Sequence, residues 1–102
     1  MVIYIDIDDT ICRLDKPGDY HSAKPIDKAI KKVNGLYDKG HTIIIWTARG
    51  TVTGIDYREL TLYQLNKWGL KFHKLLMGKP SYDIIIDDKA INYSLSWKKK
   101  IK

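Results

Sequence analysis

Four short apolar runs alternate with helical patterns along this chain, and that alternation limits the folds open to it. The runs are residues 2–7 (Val-Ile-Tyr-Ile-Asp-Ile), 41–47 (His-Thr-Ile-Ile-Ile-Trp-Thr), 74–77 (Lys-Leu-Leu-Met) and 83–87 (Asp-Ile-Ile-Ile-Asp). Short, nearly continuous β-branched runs suit strands covered on both faces of a parallel sheet. Between the first two, Ile26, Ala29, Ile30, Val33, Leu36 and Tyr37 recur at helical spacing, with Pro25 at a first-turn position and Gly40 as a stop. A second helix is predicted over residues 56–68, with Asp56 as N-cap, Glu59 three residues on and Gly69 at its end. A last short helix is predicted over 89–97. Residues 11–23 break the rhythm and contain Asp15-Lys16-Pro17-Gly18, a turn signal, so this segment reads as a loop or small β-hairpin leaving the first strand. The order predicts an α/β domain with a mostly parallel sheet, whose strand C-termini share one edge where ligands bind.

With 102 residues the chain has room for one domain, 1–102, and none for a second. No apolar run nears the roughly 18 residues of a membrane helix. The N-terminus reaches Asp6 without a basic stretch, unlike a signal peptide. The single cysteine, Cys12, permits no internal disulfide. These features predict a cytoplasmic protein with no membrane partner. Of the net charge of +6, four charges come from Lys98, Lys99, Lys100 and Lys102 in a basic tail, 98–102, so the body carries +2. Such a tail is a solvated terminus or a contact for nucleic acid or a membrane surface. The acidic residues are eleven Asp against one Glu, a bias toward caps, turns and metal sites.

The chemistry concentrates at strand ends. Asp6-Ile7-Asp8-Asp9-Thr10 follows the first run, and Asp6 and Asp8, two apart, face one side of a strand. Asp87-Asp88 follows the fourth run in the same way. If the two strands are neighbours, four or five carboxylates converge, which calls for a hard divalent cation, best Mg²⁺. Asp88 is alternatively the N-cap of the last helix. Thr47-Ala48-Arg49-Gly50 ends the second run, where a hydroxyl and backbone amides suit an anionic oxygen. Lys79, in Gly78-Lys79-Pro80, is either a solvated lysine or a cation at that edge if its loop folds so.

Taken in order, Asp6-x-Asp8-x-Thr10, Thr47, Lys79 and Asp87-Asp88 resemble the four motifs of the haloacid dehalogenase superfamily of phosphohydrolases, over residues 3–88. The resemblance implies a Rossmann-like three-layer α/β/α sandwich of strand order 4-1-2-3, with 11–23 as a short flap and no cap domain. It implies Asp6 as nucleophile forming an aspartyl-phosphate, and Asp8 as general acid and then base. It implies Mg²⁺ held by Asp6, Asp8 through its backbone carbonyl, and Asp87, with Asp88 a ligand or an outer partner. Phosphoryl oxygens would meet Asp9, Thr10, Thr47, Ala48 and Lys79. The family often has glycine where this chain has Asp9. Arg49, Tyr20 and His21 are candidate specificity residues, with Tyr57, Arg58 and His73 beside them. For Arg49 the alternative is a salt bridge at a helix entry. Trp46 to Gly50 and Gly78 to Asp83 resemble small bacterial phosphatases of capsule or surface-sugar biosynthesis. The expected activity is hydrolysis of a small phosphate monoester, a sugar or polyol phosphate, with the flap or a homo-oligomer partner closing the open site. The alternatives are a nucleic-acid 3′-end phosphatase and a non-enzymatic binding domain.

Overall fold

The structure is a computed structural model and describes residues 1–91. Strand β1 (Val2–Ile5) leads into a flap built from β2 (Cys12–Arg13) and β3 (Lys24–Pro25), with a single 3-10 turn at Tyr20–Ser22 between them. Helix α1 (Asp27–Asp38), β4 (Thr42–Trp46), α2 (Arg58–Lys67) and β5 (Lys74–Leu76) follow. The main sheet is parallel with order β1-β4-β5, and its register pairs Ile3 with Ile43, Ile5 with Ile45 and Ile45 with Leu75.

One face of this sheet carries the core. Ile5, Ile7, Ile43, Ile45 and Leu75 pack with Ala29, Ile30, Val33 and Leu36 of α1 and with Leu65 and Leu70 of α2 and its exit. Both crossovers advance in the same direction across the sheet, so right-handed connections put both helices on the same face. Complete burial of an isoleucine such as Ile43 or Ile45 stabilises the fold by about 1.5–3 kcal/mol.

Each helix stops at a glycine in the left-handed region. Gly40 has φ 93° and Gly69 φ 71°. After α1 the His41 amide donates to Leu36 and the Gly40 amide to Tyr37. After α2 the Leu70 amide donates to Leu65 and the Gly69 amide to Asn66. This double bond pattern satisfies the last helical carbonyls and turns the chain sharply into the next strand. Asn34 of α1 fastens the second turn from outside, donating from Nδ2 to the Gly69 carbonyl at 2.9 Å and accepting the Lys71 amide at 2.8 Å.

The flap is a small hairpin that runs past the expected 11–23 segment, since its second strand is Lys24–Pro25, with Cys12 opposite Pro25 and Arg13 opposite Lys24. Pro25 therefore closes a flap strand instead of opening α1, where Ile26 is the N-cap. Asp56 caps α2 from one residue further out than expected: its Oδ1 accepts the Arg58 amide at 2.9 Å, while Tyr57 occupies the N-cap position.

The expected fourth strand is not among the described elements. Residues 83–88 are irregular, with Ile84 80%, Ile85 48% and Ile86 96% exposed. Locally, the Lys89 amide turns back to Asp87 Oδ1 at 2.8 Å, a bond internal to the segment. The described sheet thus has three strands and one helical layer, so the coarse α/β parallel architecture is present without the fourth strand or third layer. The last helix expected over 89–97 lies largely outside the described residues, as does the 98–102 tail. No described helix is long and apolar enough to cross a membrane.

Candidate functional site

The site forms where β1 and β4 end. β1 stops at Ile5, and the chain then folds back on itself: the Ile7 carbonyl accepts the amides of Thr10 at 3.1 Å and Ile11 at 2.9 Å, while the Asp9 amide donates to Cys12 at 2.8 Å. Such a tight reversal needs one residue in the left-handed region, and Asp9, at φ 61°, supplies it. Asp is one of the few side chains that tolerate this conformation. The turn leaves Asp6 and Asp8 at the C-terminal edge of the sheet. It also commits the Asp9 and Thr10 amides internally, so Thr10 keeps its hydroxyl for a phosphoryl oxygen, while Asp9, left with an acceptor-only carboxylate, has no donor to offer one.

Asp6 and Lys79 come together, with Nζ 3.7 Å from Oδ1. Burial pushes the Asp6 carboxyl above its ordinary 3.8; Lys79 pulls it back, and the neighbouring Asp8 and Asp9 add to the rise. Lys79 is set there by its backbone. Its amide donates to the Thr47 carbonyl at 3.0 Å, and its carbonyl accepts the Thr51 hydroxyl at 2.7 Å. The ammonium lies 5.6 Å from the Trp46 ring centre and 5.5 Å from that of Tyr82, at cation–π range. The loop carrying Lys79 therefore folds toward the strand edge.

Thr47 is buried, and its Oγ1 accepts the Arg49 amide at 3.1 Å. That bond shapes the turn 47–50, in which Ala48 is half-buried and its carbonyl accepts the Thr51 amide at 2.9 Å. Gly50 follows with φ 82°.

Arg49 does not face solvent. It is 2% exposed, and its guanidinium is occupied from several sides. Nη2 donates to Asp8 Oδ1 at 2.7 Å, and Nε lies 3.0 Å from Oδ2 and 3.3 Å from Oδ1. Nη1 donates to Gln64 Oε1 at 2.6 Å and to Thr61 Oγ1 at 3.2 Å. This corrects the expectation of a substrate-gripping Arg49: its side chain is fully buried and four of its five N–H donors are spent on Asp8, Gln64 and Thr61, so it presents none to a ligand at the surface. The alternative, a salt bridge, is what the structure contains, and its partner is Asp8.

Tyr20 stacks on the same group, with the guanidinium carbon 4.9 Å from its ring centre, and meets Tyr57 edge-on at 4.8 Å. It thus packs over Arg49 from the flap side. His21 is exposed on the flap's 3-10 turn. Arg58 reaches the Leu75 carbonyl at 3.0 Å, away from the carboxylates. His73 accepts the Ile43 amide on Nδ1 at 3.0 Å and stacks on Tyr37, so it braces β4 against β5.

Asp87 and Asp88 are not brought to Asp6. Both lie in the exposed irregular segment, where the Lys89 amide and then the Asp88 side chain hold the Asp87 carboxyl below its ordinary value. Among the described residues no three His, Cys, Asp or Glu side chains group as metal ligands. Of the expected Mg²⁺ donors, Asp6 fits by its chemistry, since it is a partly desolvated carboxylate, while the Asp8 carboxylate is taken by Arg49 and leaves its backbone carbonyl as the donor. Asp87 fits only if the 84–86 run reaches the sheet.

Four residues of the site had no assigned role at the level of sequence: Thr51 under Lys79, Thr61 and Gln64 under Arg49, and Cys12, whose thiol donates to Asp8 Oδ1 at 3.4 Å. Thr61 and Gln64 did leave a signal. They stand beside Leu65 on the face of α2 that should be apolar, and both are buried.

No family model matches the chain, and no curated protein matches it. It is similar to the crystal structure of an MCSG target from Vibrio cholerae, with TM-score 0.80 and 22% identity over 97% of this chain and 94% of that one. Likeness at this identity speaks for the fold alone.

Proposed function

We propose that this protein is a Mg²⁺-dependent phosphatase of the haloacid dehalogenase type, acting on a small phosphate monoester such as a sugar or polyol phosphate. The observation that carries the reading is the meeting of Lys79 with Asp6 at 3.7 Å, on the sheet edge that also bears Asp8 and Thr47. A carboxylate nucleophile beside a fixed cation is what attack on an anionic phosphate requires.

In this reading Asp6 attacks phosphorus as the bond to the leaving oxygen breaks, and Asp8 gives that oxygen a proton. Water then attacks the aspartyl-phosphate while Asp8 takes a proton from it, freeing phosphate and restoring Asp6. Lys79 holds phosphoryl oxygens throughout, and the buried Thr47, accepting the Arg49 amide, shapes the turn beside them. Bound Mg²⁺ offsets the repulsion between the anionic nucleophile and the anionic substrate. Its ligands in this proposal are Asp6, the Asp8 carbonyl and Asp87, with Asp88 behind. Asp87 would join them only with residues 84–86 paired along the outer edge of β1, which would extend the sheet to the order 84–86, β1, β4, β5. Three exposed isoleucines and a strand edge unpaired among the described residues favour that docking.

The test is phosphate release from sugar phosphates, nucleotides and a 3′-phosphorylated oligonucleotide, with Mg²⁺, with EDTA and with Asp6→Asn. The oligonucleotide belongs in the panel because Lys28, Lys31, Lys32 and Lys39 line one hollow on α1. Metal-dependent release that disappears in Asp6→Asn is expected. Release that persists in Asp6→Asn rejects Asp6 as the nucleophile.

A further inference from the structure

We propose that Arg49 is a positioning residue that reserves one oxygen of Asp8 for proton transfer, an inference that rests on the phosphatase reading above. The two oxygens of Asp8 are not equivalent. Oδ1 accepts from Arg49 Nη2 at 2.7 Å, with Nε at 3.3 Å, and is the nearer of two acceptors for the Cys12 thiol, at 3.4 Å against 3.7 Å for the Ile7 carbonyl. Oδ2 meets Nε at 3.0 Å. A carboxylate oxygen has two good acceptor directions. Those of Oδ1 are taken, while Oδ2 keeps one for a proton.

Arg49 cannot play the acid or base itself, because a guanidinium does not deprotonate in proteins. Nor does it reach a ligand, since its side chain is fully buried. What it does is hold a plane. The fork fixes the carboxylate rotation, and Nη1 fixes the fork through Gln64 and Thr61 of α2. Gln64 has no freedom to turn, because its Nε2 donates to the Tyr20 carbonyl at 2.7 Å while its Oε1 accepts from Arg49. The aim of Asp8 is thereby tied to the flap as well as to α2.

The consequence is specific. As the phosphorus bond to the leaving oxygen breaks and the bond to Asp6 forms, the proton on Asp8 Oδ2 passes to that oxygen. An alkoxide needs that proton; a nitrophenolate leaves without it. Misaiming Asp8 should therefore damage alkyl esters and spare activated aryl esters.

The experiment compares kcat/KM, which reports the first chemical half-reaction, for glycerol phosphate and p-nitrophenyl phosphate. Arg49→Lys keeps the charge and loses the fork. Gln64→Leu leaves the Arg49–Asp8 pair in place and removes its support, so the test survives if the first variant fails to fold. Arg49→Lys should lower kcat/KM about 100-fold on the alkyl ester and less than about 10-fold on the aryl ester, the range of general-acid effects. Gln64→Leu should lower kcat/KM about 10-fold on the alkyl ester and less than about twofold on the aryl ester. Inhibition by inorganic phosphate should stay within about threefold of wild type in both. Equal losses on the two esters, or phosphate inhibition weakened in step with activity, would overturn the proposal. So would an Asp8→Asn variant that shows no preference between the esters, although the phosphatase reading would then stand. If wild type releases phosphate from neither ester nor from any member of the wider panel, the phosphatase reading fails and takes this proposal with it.

Discussion

The backbone of Ile55 passes so close to Gly50 that a Cβ at position 50 would overlap the Ile55 carbonyl oxygen and crowd the Tyr57 ring. The same glycine has φ 82° and ends the turn that holds Thr47 and Arg49. Gly50→Ala should cost about 2–4 kcal/mol, combining the left-handed penalty with overpacking against backbone. Gly54 offers the control, since its φ is 74° but nothing lies within 4 Å of its would-be Cβ. Gly54→Ala should cost about 1–2 kcal/mol. Urea denaturation of the two variants reads the difference directly; equal losses would mean the Ile55 contact carries no weight.

Asp9 holds its left-handed conformation at a cost that glycine would not bear. Asp9→Gly should leave stability unchanged or raise it by up to about 1 kcal/mol, and Asp9→Val should lower it by about 1–2 kcal/mol. Thermal melting of both variants tests the pair. A destabilising glycine would show that the Asp9 side chain, and not the backbone angle, supports the turn.

The Cys12 thiol is raised from 9.0 to about 12, first by burial and then by the Asp8 charge. A raised folded value means the native state holds the proton more tightly than the unfolded chain does. Stability tied to this thiol is therefore complete below pH 9 and is lost as pH rises from there toward 12. Cys12→Ala should flatten the fall in stability between those limits, relative to wild type. In the native state Cys12 should also resist alkylation at pH 8, because the reactive species is the thiolate. Rapid labelling of folded protein would contradict the buried placement.

In the proposed reading Asp6 is a Mg²⁺ ligand. Saturating Mg²⁺, at about 100 times its dissociation constant, should stabilise wild type by about 2.7 kcal/mol. Asp6→Asn should lose most of that gain while melting in EDTA at or above the wild-type temperature, because its amide removes a charge that burial disfavours. Calorimetry with and without Mg²⁺ separates these outcomes. An equal Mg²⁺ shift in both proteins would place the cation elsewhere.

Asn34 links α1 to the exit of α2 through two hydrogen bonds. Asn34→Ala should cost about 1–3 kcal/mol. Asn34→Asp keeps the acceptor for the Lys71 amide but sets a carboxylate against the Gly69 carbonyl, so it should not restore stability. Full recovery in the aspartate variant would show that only the Lys71 bond matters.

Local signals were enough for much of this fold. The isoleucine runs at 2–7 and 41–47 mark strands because β-branched side chains pack well on a pleated surface, and Gly40 and Gly69 mark helix ends because a left-handed residue is needed there. The turn signal at 15–18 likewise marks the flap hairpin. The run at 83–87 shows the limit of such reading. An apolar run states that a segment should be buried, but a strand exists only when an edge accepts its hydrogen bonds, and here residues 84–86 lie exposed.

The site divides in the same way. That Asp6, Asp8 and Thr47 stand at strand ends follows from their places beside the apolar runs, since strand direction in a parallel sheet carries every C-terminus to one edge. That Lys79 turns inward and that Arg49 turns away from solvent depended on tertiary contacts: Thr51 under one loop, Thr61 and Gln64 under the other. A long cationic side chain can reach solvent or a buried partner at similar local cost, and neighbours far along the chain decide between them. For Arg49 the decision came from Asp8, 41 residues before it, and from α2.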